Sequence, residues 1–119
     1  MFTTFTVKDT NYKLRLDAKA CVSLEDRLGT NPLNVIIQMI QGDTIKMPSL
    51  KVLLTILHEA LRPYNHGISM DDVYAIYDDY IADGHSMADL IPVVLDIFKS
   101  SGFIKKPTED EEDSESSKN

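Results

Sequence analysis

The first residues in this chain that could do chemistry are histidines and a neighbouring carboxylate. His58-Glu59 begins like the helical zinc-protease motif, in which a second histidine follows four positions after the first. Arg62 stands at that position instead. His66 and His85 lie beside glycines, with no spacing that pairs them. Since a zinc site needs three or four converging ligands, the sequence predicts no metal and no cofactor.

Aspartates are the second group with the right chemistry for a site. Asp71-Asp72, Asp78-Asp79 and Asp83-Gly84 look at first like a calcium loop. An EF-hand, however, places ligands at alternate positions around its glycine and closes with a glutamate, whereas these pairs recur at helical spacing. We interpret them as a solvated acidic helix face. The sequence also has no Gly-x-Ser-x-Gly elbow and no glycine-rich phosphate loop, so we do not expect an enzyme.

Length and composition limit the kind of fold that can position these residues. The 119 residues are 43% hydrophobic and 26% charged, which suits one globular domain. Cys21 is the single cysteine, and its place on an apolar helical face predicts a small core residue in a reducing compartment. No stretch approaches the roughly 20 apolar residues of a membrane span, and no signal peptide is recognisable, so we expect no membrane association.

Charge is concentrated near the C-terminus. Residues 107–119 hold six acids against Lys118, which gives −5 of the formal net charge of −7. Because this segment has no apolar residue to bury and repels itself, we predict a disordered acidic tail over 107–119 and a folded domain over 1–106. Nucleic-acid binding is not expected, because phosphate contacts need clustered Lys and Arg and the rest of the chain offers only short pairs such as Lys105-Lys106.

The pattern of residue types predicts a mainly α (α+β) fold. Strands at Phe2–Val7 and Tyr12–Leu16, joined by a turn at 8–11, indicate an N-terminal β-hairpin within 1–16. About five helices in a small bundle follow. Each helix has one signal for its start and one for its end. In chain order, these start and end signals are Asp17 and Gly29; Pro32 and Gly42; Ser49 and Arg62-Pro63; Ser69-x-x-Asp72 and Gly84; and Ser86-x-x-Asp89 and Gly102.

Two local features of these helices carry further expectations. The second helix is apolar nearly all round, which indicates either central burial or a buried face plus a contact surface. Pro92 should bend the last helix, unless that helix begins nearer Leu90.

The helices hold more large hydrophobic residues than one buried stripe requires. Methionine repacks readily, and tyrosine serves dry and wet surroundings alike. We therefore predict an adaptable contact surface whose candidates are Met39, Met47, Met70, Met87, Tyr64, Tyr74 and Tyr80. From these we select five partner-binding residues: Met39, Tyr64, Tyr74, Tyr80 and Met87.

A family resemblance rests on residues 12–41. A few extended residues lead into a small-residue helix ending in Leu24-Glu25-x-x-Leu28-Gly29, and a second helix opens on Asn31-Pro32-Leu33. This order resembles the tail assembly chaperones of long-tailed (siphovirus-type) bacteriophages and prophages. The order of helices stays similar to about residue 104, and the acidic tail has no counterpart in the resemblance.

The resemblance implies a function in viral morphogenesis. Such chaperones bind the long, mostly helical tape measure protein, keep it soluble, help recruit tail tube subunits, and are absent from the finished virion. It implies the bacterial host cytoplasm as the location. The family commonly makes a longer product by ribosomal frameshifting, and an adenine run encoding Lys105-Lys106 would suit slippage. Homo-oligomerisation stays open, because a two-stranded hairpin must pack on helices or on another subunit.

A second function remains open on composition alone. A small acidic helical regulator or inhibitor could dock on a basic protein surface, with the tail at 107–119 imitating phosphate charge. The two hypotheses differ in which part of the chain binds: apolar helix surfaces for the chaperone, and the acidic tail for the regulator.

Overall fold

A computed structural model describes residues 2–40 and 47–103 of the chain. An antiparallel hairpin comes first, formed by β1 (Thr3–Val7) and β2 (Thr10–Leu14). Five α-helices follow within these ranges: α1 (Ala18–Leu28), α2 (Leu33–Ile40), α3 (Leu50–Leu61), α4 (Met70–Ala82) and α5 (Leu90–Ser101). The mainly α (α+β) fold predicted from the sequence is thus confirmed. The predicted end of the second helix at Gly42 and the predicted acidic tail at 107–119 lie outside the described residues.

The hairpin turn is tighter than the sequence pattern indicated. Val7 pairs with Thr10, so the turn consists of Lys8 and Asp9 alone, and not of residues 8–11. Lys8 takes a φ of 54°, a left-handed conformation that costs a non-glycine residue about 1 kcal/mol or more. Two contacts to the end of α4 hold it there: its backbone N–H donates to Asp83 Oδ2 at 3.1 Å, and its Nζ lies 3.3 Å from Asp79 Oδ1.

Helix α1 begins and ends where the sequence signals placed it. The Asp17 side chain accepts a hydrogen bond from the Ala20 N–H at 2.8 Å and so satisfies a first-turn donor. Gly29 has a φ of 72°, and its N–H donates to the Glu25 carbonyl at 2.8 Å. This left-handed cap ends the helix. Ala20 and Leu24 turn inward, and the one-faced character expected for α1 follows from their spacing.

Helix α3 is the centre of the fold. Ser49 caps its first turn, accepting from the Val52 N–H at 3.2 Å, and the helix ends at Leu61, before Arg62-Pro63, as predicted. Eight of its side chains are buried, and it contacts α1, α4, α5 and β2. The Arg15 N–H donates to the Ala60 carbonyl at 2.9 Å, which fastens the chain after β2 to this helix.

The two predicted capping boxes open α4 and the segment before α5. At α4, Ser69 and Asp72 exchange hydrogen bonds of 3.0 and 3.1 Å between side chains and backbone. At the second box, the Ser86 N–H donates to Asp89 Oδ2 at 2.9 Å and begins a single 3-10 turn, Met87–Asp89. Helix α5 starts only after this turn.

Pro92 therefore does not interrupt a helix. Because α5 begins at Leu90, the proline lies in the first turn, where backbone N–H groups have no intrahelical acceptor in any case. The helix thus begins near Leu90, which was the alternative given for it, and a proline in the first turn does not force the bend expected from one in the helix interior. Gly102, with a φ of 91°, ends α5 as predicted.

One continuous apolar core joins the hairpin to the helices. Phe5 and Leu14 of the hairpin, Leu57 of α3 and Phe98 of α5 are buried members of the same cluster. Phe5 lies 5.0 Å from Tyr80 of α4, measured between ring centroids, so the hairpin packs on the bundle. Among helices in 2–40 and 47–103, none has both the length and the apolar character needed to cross a membrane.

Candidate functional site

Glu59 is the charged side chain buried most deeply among the described residues, with 1% of its surface exposed. Its Oε2 accepts hydrogen bonds from Ser23 Oγ and Arg27 Nη1, each at 2.7 Å, and its Oε1 accepts one from Arg62 Nη1 at 3.1 Å. Ser23 and Arg27 lie four residues apart on α1, so both face α3. We call these four residues the Glu59 cluster.

The surroundings of Glu59 keep it ionised. Burial raises the pKa of its carboxyl, but hydrogen bonds from Arg27 and Ser23 and the charges of Arg62 and Arg27 outweigh that effect, so its pKa lies below the ordinary value. A carboxylate held in this way is a poor proton donor at neutral pH, and its hydrogen-bonding capacity is committed to neighbours. The hydrogen bonds of the Glu59 cluster therefore hold α1 against α3.

His58 has a supporting position beside this cluster. Arg27 Nη1 lies 2.8 Å from His58 Nδ1, and His58 Nε2 lies 2.8 Å from the Ile68 carbonyl oxygen. Because arginine only donates, Nδ1 accepts, and the proton on Nε2 is donated to Ile68. The resemblance of His58-Glu59 to a zinc motif does not extend to geometry: no group of three or more His, Cys, Asp or Glu in 2–40 and 47–103 is placed to hold a metal ion.

A shallow cleft of about 280 Å³ opens over the Glu59 cluster. Its lining carries negative charge from Asp17 and Glu59 and positive charge from Lys19 and Arg62. His66 also lines it. Within the described part of the chain, no buried side-chain nitrogen or oxygen lacks a hydrogen-bond partner.

Cys21 packs against the core but is only half-buried. Burial, together with the nearby charges of Asp17 and Glu25, raises the pKa of its thiol. The thiol stays protonated, and its Sγ contacts the Leu16 carbonyl oxygen at 3.7 Å. This arrangement suits a packing residue, because a nucleophilic cysteine needs a lowered pKa.

The five predicted partner-binding residues divide into two groups. Tyr64 and Tyr74 are 39% and 49% exposed, and Met87 is half-buried. Met39 and Tyr80 are 1% and 4% exposed. These last two side chains belong to the core, where a partner could not reach them without unfolding the domain. Met39 and Tyr80 are therefore no longer candidates for a partner-binding surface, whereas Tyr64, Tyr74 and Met87 remain candidates.

Tyr64 belongs to a small aromatic group on the surface. Its ring meets that of Phe2 edge to face, with centroids 6.1 Å apart. Lys13 Nζ lies 5.0 Å from the centroid of Phe2 and 5.8 Å from that of Tyr64, distances at which a cation is attracted to a ring face. These contacts link the hairpin to the loop after α3 and leave both rings partly accessible.

Sequence reasoning missed three other exposed apolar side chains on helices. Val22 on α1, Ile37 on α2 and Ile81 on α4 are 40% exposed or more, as is Met47 before α3, which residue type did mark as a candidate. The one available signal was the apolar character of the second helix, for which a buried face plus a contact surface was one of two alternatives. Val35 and Ile36 are buried and Ile37 is exposed, so α2 is buried on one face and not all round.

Comparison with known proteins places the chain in a family. Neither the curated proteins nor the solved structures contain a match. A family described as a family of unknown function, DUF6096, matches residues 2–117, nearly the whole chain. The chain therefore belongs to the family of unknown function DUF6096.

Proposed function

We propose that this protein is a tail assembly chaperone of a long-tailed phage or prophage, which binds the tape measure protein and helps recruit tail tube subunits. One observation carries the proposal: several large apolar side chains, most of them on or beside helices, are exposed at the surface. Those at least 39% exposed are Phe2, Val22, Ile37, Met47, Tyr64, Tyr74 and Ile81. The resemblance of residues 12–41 to such chaperones gives this surface its expected partner.

Burial of apolar surface supplies the binding energy in this proposal. Scattered exposed hydrophobic residues are normal on proteins, but here four of them, Val22, Ile37, Tyr74 and Ile81, lie on helices. Burying apolar area is worth roughly 25 cal/mol per Å². A long helical tape measure protein exposes apolar stripes before it enters the tail, and helix-to-helix contact covers such stripes. Many copies along one partner would add to the affinity through multivalency.

Co-expression tests the proposal. The tape measure protein from the same phage or prophage genome is produced alone, with this chain, and with a variant carrying Val22→Gln, Ile37→Gln, Tyr74→Gln and Ile81→Gln. All four positions are exposed, so the variant should fold, as circular dichroism can check. We expect the wild type to keep the tape measure protein soluble and to co-purify with it. An insoluble tape measure protein despite abundant folded chain would refute the chaperone role.

Gene order and particle composition test the rest of the proposal. A tape measure gene downstream and a tail tube gene upstream are expected, as is an overlapping reading frame at the codons for Lys105-Lys106. Mass spectrometry of purified virions should detect the tail tube protein but not this chain, which acts in the host cytoplasm during assembly. Its presence at stoichiometric levels in finished particles would identify a structural component instead.

A further inference from the structure

Helix α4 carries two apolar rows, one buried in the core and one that packs against it only in part. Val73, Ile76 and Tyr80 are buried against the rest of the protein. A second row of apolar residues runs along the helix at spacings of four, three and four: Met70, Tyr74, Tyr77 and Ile81. Because an α-helix turns 100° per residue, this second row lies about 90° around the helix from the buried one. We call it the α4 stripe.

The α4 stripe runs from the edge of the core into solvent. Met70 and Tyr77 pack partly against the core, whereas Tyr74 and Ile81 are 49% and 40% exposed. The row spans about 16 Å at a rise of 1.5 Å per residue, which is three turns of helix. Apolar residues at this spacing lie in a row that can contact the apolar face of a partner helix.

Charge on α4 indicates what kind of helix would fit. The helix holds four aspartates and no basic residue. Asp72 serves the capping box, and Asp79, which lies about 160° from Ile81 around the helix, pairs with Lys8 at 3.3 Å. Asp71 and Asp78 are exposed, lie about 60° and about 40° around the helix from Tyr74 of the α4 stripe, and form no ion pair within the described part of the chain.

We propose that the α4 stripe docks an amphipathic helix whose apolar row is flanked by lysine or arginine. The apolar rows supply contact area, and the flanking cations meet Asp71 and Asp78. A second copy of this chain fits less well, because two α4 helices would bring these aspartates close to each other. An anionic membrane surface would be repelled by the same charges. The identity of the partner as a tape measure segment rests on the proposed function, but the chemistry of the docked helix does not.

Two kinds of probe test this inference on the full-length chain. The first is a set of overlapping peptides that covers the tape measure protein. The second is a synthetic pair: an amphipathic helix with leucines at positions i, i+4, i+7 and i+11 flanked by lysines, and the same helix with glutamates in place of the lysines. Binding is measured by fluorescence anisotropy at low and moderate salt, and sedimentation reports any self-association.

Two double variants have matched controls. Tyr74→Gln with Ile81→Gln removes the exposed half of the α4 stripe, and Ala75→Gln with Ala82→Gln introduces the same side chains at exposed positions of α4 outside the stripe. Asp71→Asn with Asp78→Asn removes the flanking charges, and Glu25→Gln with Asp26→Asn makes the same change in net charge on α1, where both side chains are exposed. Circular dichroism verifies that all four fold.

We expect the lysine-flanked helix to bind and the glutamate-flanked one not to bind. Loss of Tyr74 and Ile81 should weaken binding at least tenfold, and loss of Asp71 and Asp78 should weaken it several-fold at low salt and flatten the salt dependence. Equal losses in the control variants, preference for the glutamate-flanked helix, or self-association through α4 would overturn the inference.

The tape measure peptides separate the two proposals. If they bind and the α4 variants bind equally well, the inference about the α4 stripe fails while the chaperone function stands. If no tape measure peptide binds but the lysine-flanked helix binds through Tyr74 and Ile81, the docking chemistry stands and the proposed function fails.

Discussion

At the scale of single residues, Glu59 shows how a charge can be kept inside a small domain. Taking a carboxylate out of water is costly, and here the cost is offset by four hydrogen bonds from three residues, Ser23, Arg27 and Arg62. Two of these donors are guanidinium groups, whose bonds to a carboxylate are charge-assisted and stronger than neutral ones. The residues come from two helices, so the bonds also fix how α1 lies on α3.

Replacing Glu59 should therefore destabilise the fold. We expect Glu59→Gln to lower the free energy of unfolding by about 2 kcal/mol at pH 7, because the charge-assisted bonds are lost while the site stays buried. Urea unfolding followed by circular dichroism measures the change. Glu25→Gln is the matched control, since Glu25 is exposed on α1, and its effect should stay within about 0.5 kcal/mol.

The same variant pair gives a dependence on pH with a defined sign. The pKa of Glu59 is lowered in the folded protein, so its contribution is fully present above the unfolded value of about 4.3 and is lost as the pH falls through the folded value. The stability gap between wild type and Glu59→Gln should narrow below about pH 4.3. A gap that stays constant down to pH 3 would show that the charge of Glu59 does not carry the effect.

At the scale of helices and strands, local signals predicted both ends of α1 and α3 and the start of α4, because each of these boundaries is set by groups within one turn. They placed the second strand at Tyr12–Leu16, whereas β2 spans Thr10–Leu14. Asp17 bonds a donor three residues away, and Gly29 needs only its own backbone freedom. Pro92 was ambiguous, because its effect depends on where the helix starts, and the preceding 3-10 turn decides that. The two-residue turn at Lys8 could not be predicted locally, since its anchors, Asp79 and Asp83, are more than 70 residues away.

The capping box at Ser69 offers a test at this scale. Ser69→Ala should cost about 1 kcal/mol of stability, whereas Ser69→Gly should cost only a few tenths, because glycine at this position lets water reach the free N–H groups. Chemical denaturation of both variants measures the difference. Hydrogen exchange should show the loss at the amides of the first turn of α4, where the Asp72 N–H donates to Ser69 Oγ at 3.1 Å. Equal destabilisation of the two variants would mean that the hydroxyl contributes little.

At the scale of the whole molecule, the exposure of individual apolar side chains was harder to predict than the fold. Residue type marked Met39, Tyr64, Tyr74, Tyr80 and Met87 as a group, but exposure depends on which face each helix turns to its neighbours. Tyr74 and Tyr80 lie on the same helix, but Tyr80 is buried in the core and Tyr74 is exposed. The Glu59 cluster had the same difficulty, because Ser23 and Glu59 are 36 residues apart and meet only through the packing of α1 on α3.

The balance between apolar and electrostatic binding is also a property of the whole chain, and removing residues 107–119 tests it. The deletion takes away −5 of the net charge of −7 and no apolar side chain. If the apolar helix surfaces bind the partner, the shortened chain should retain capture of the tape measure protein within about threefold at moderate salt, where charges beyond about 10 Å are screened. Co-purification at two salt concentrations measures this.

A full-length chain whose six acids in that segment are changed to Gln or Asn separates charge from length. The residues changed are Glu109, Asp110, Glu111, Glu112, Asp113 and Glu115. An acidic regulator would lose its partner in both forms, with a steep salt dependence in the wild type. A chaperone that works through its helices would keep its partner in both, and would lose it when Tyr74 and Ile81 are replaced. The opposite pattern would assign binding to the acidic segment and leave the exposed apolar side chains without a partner.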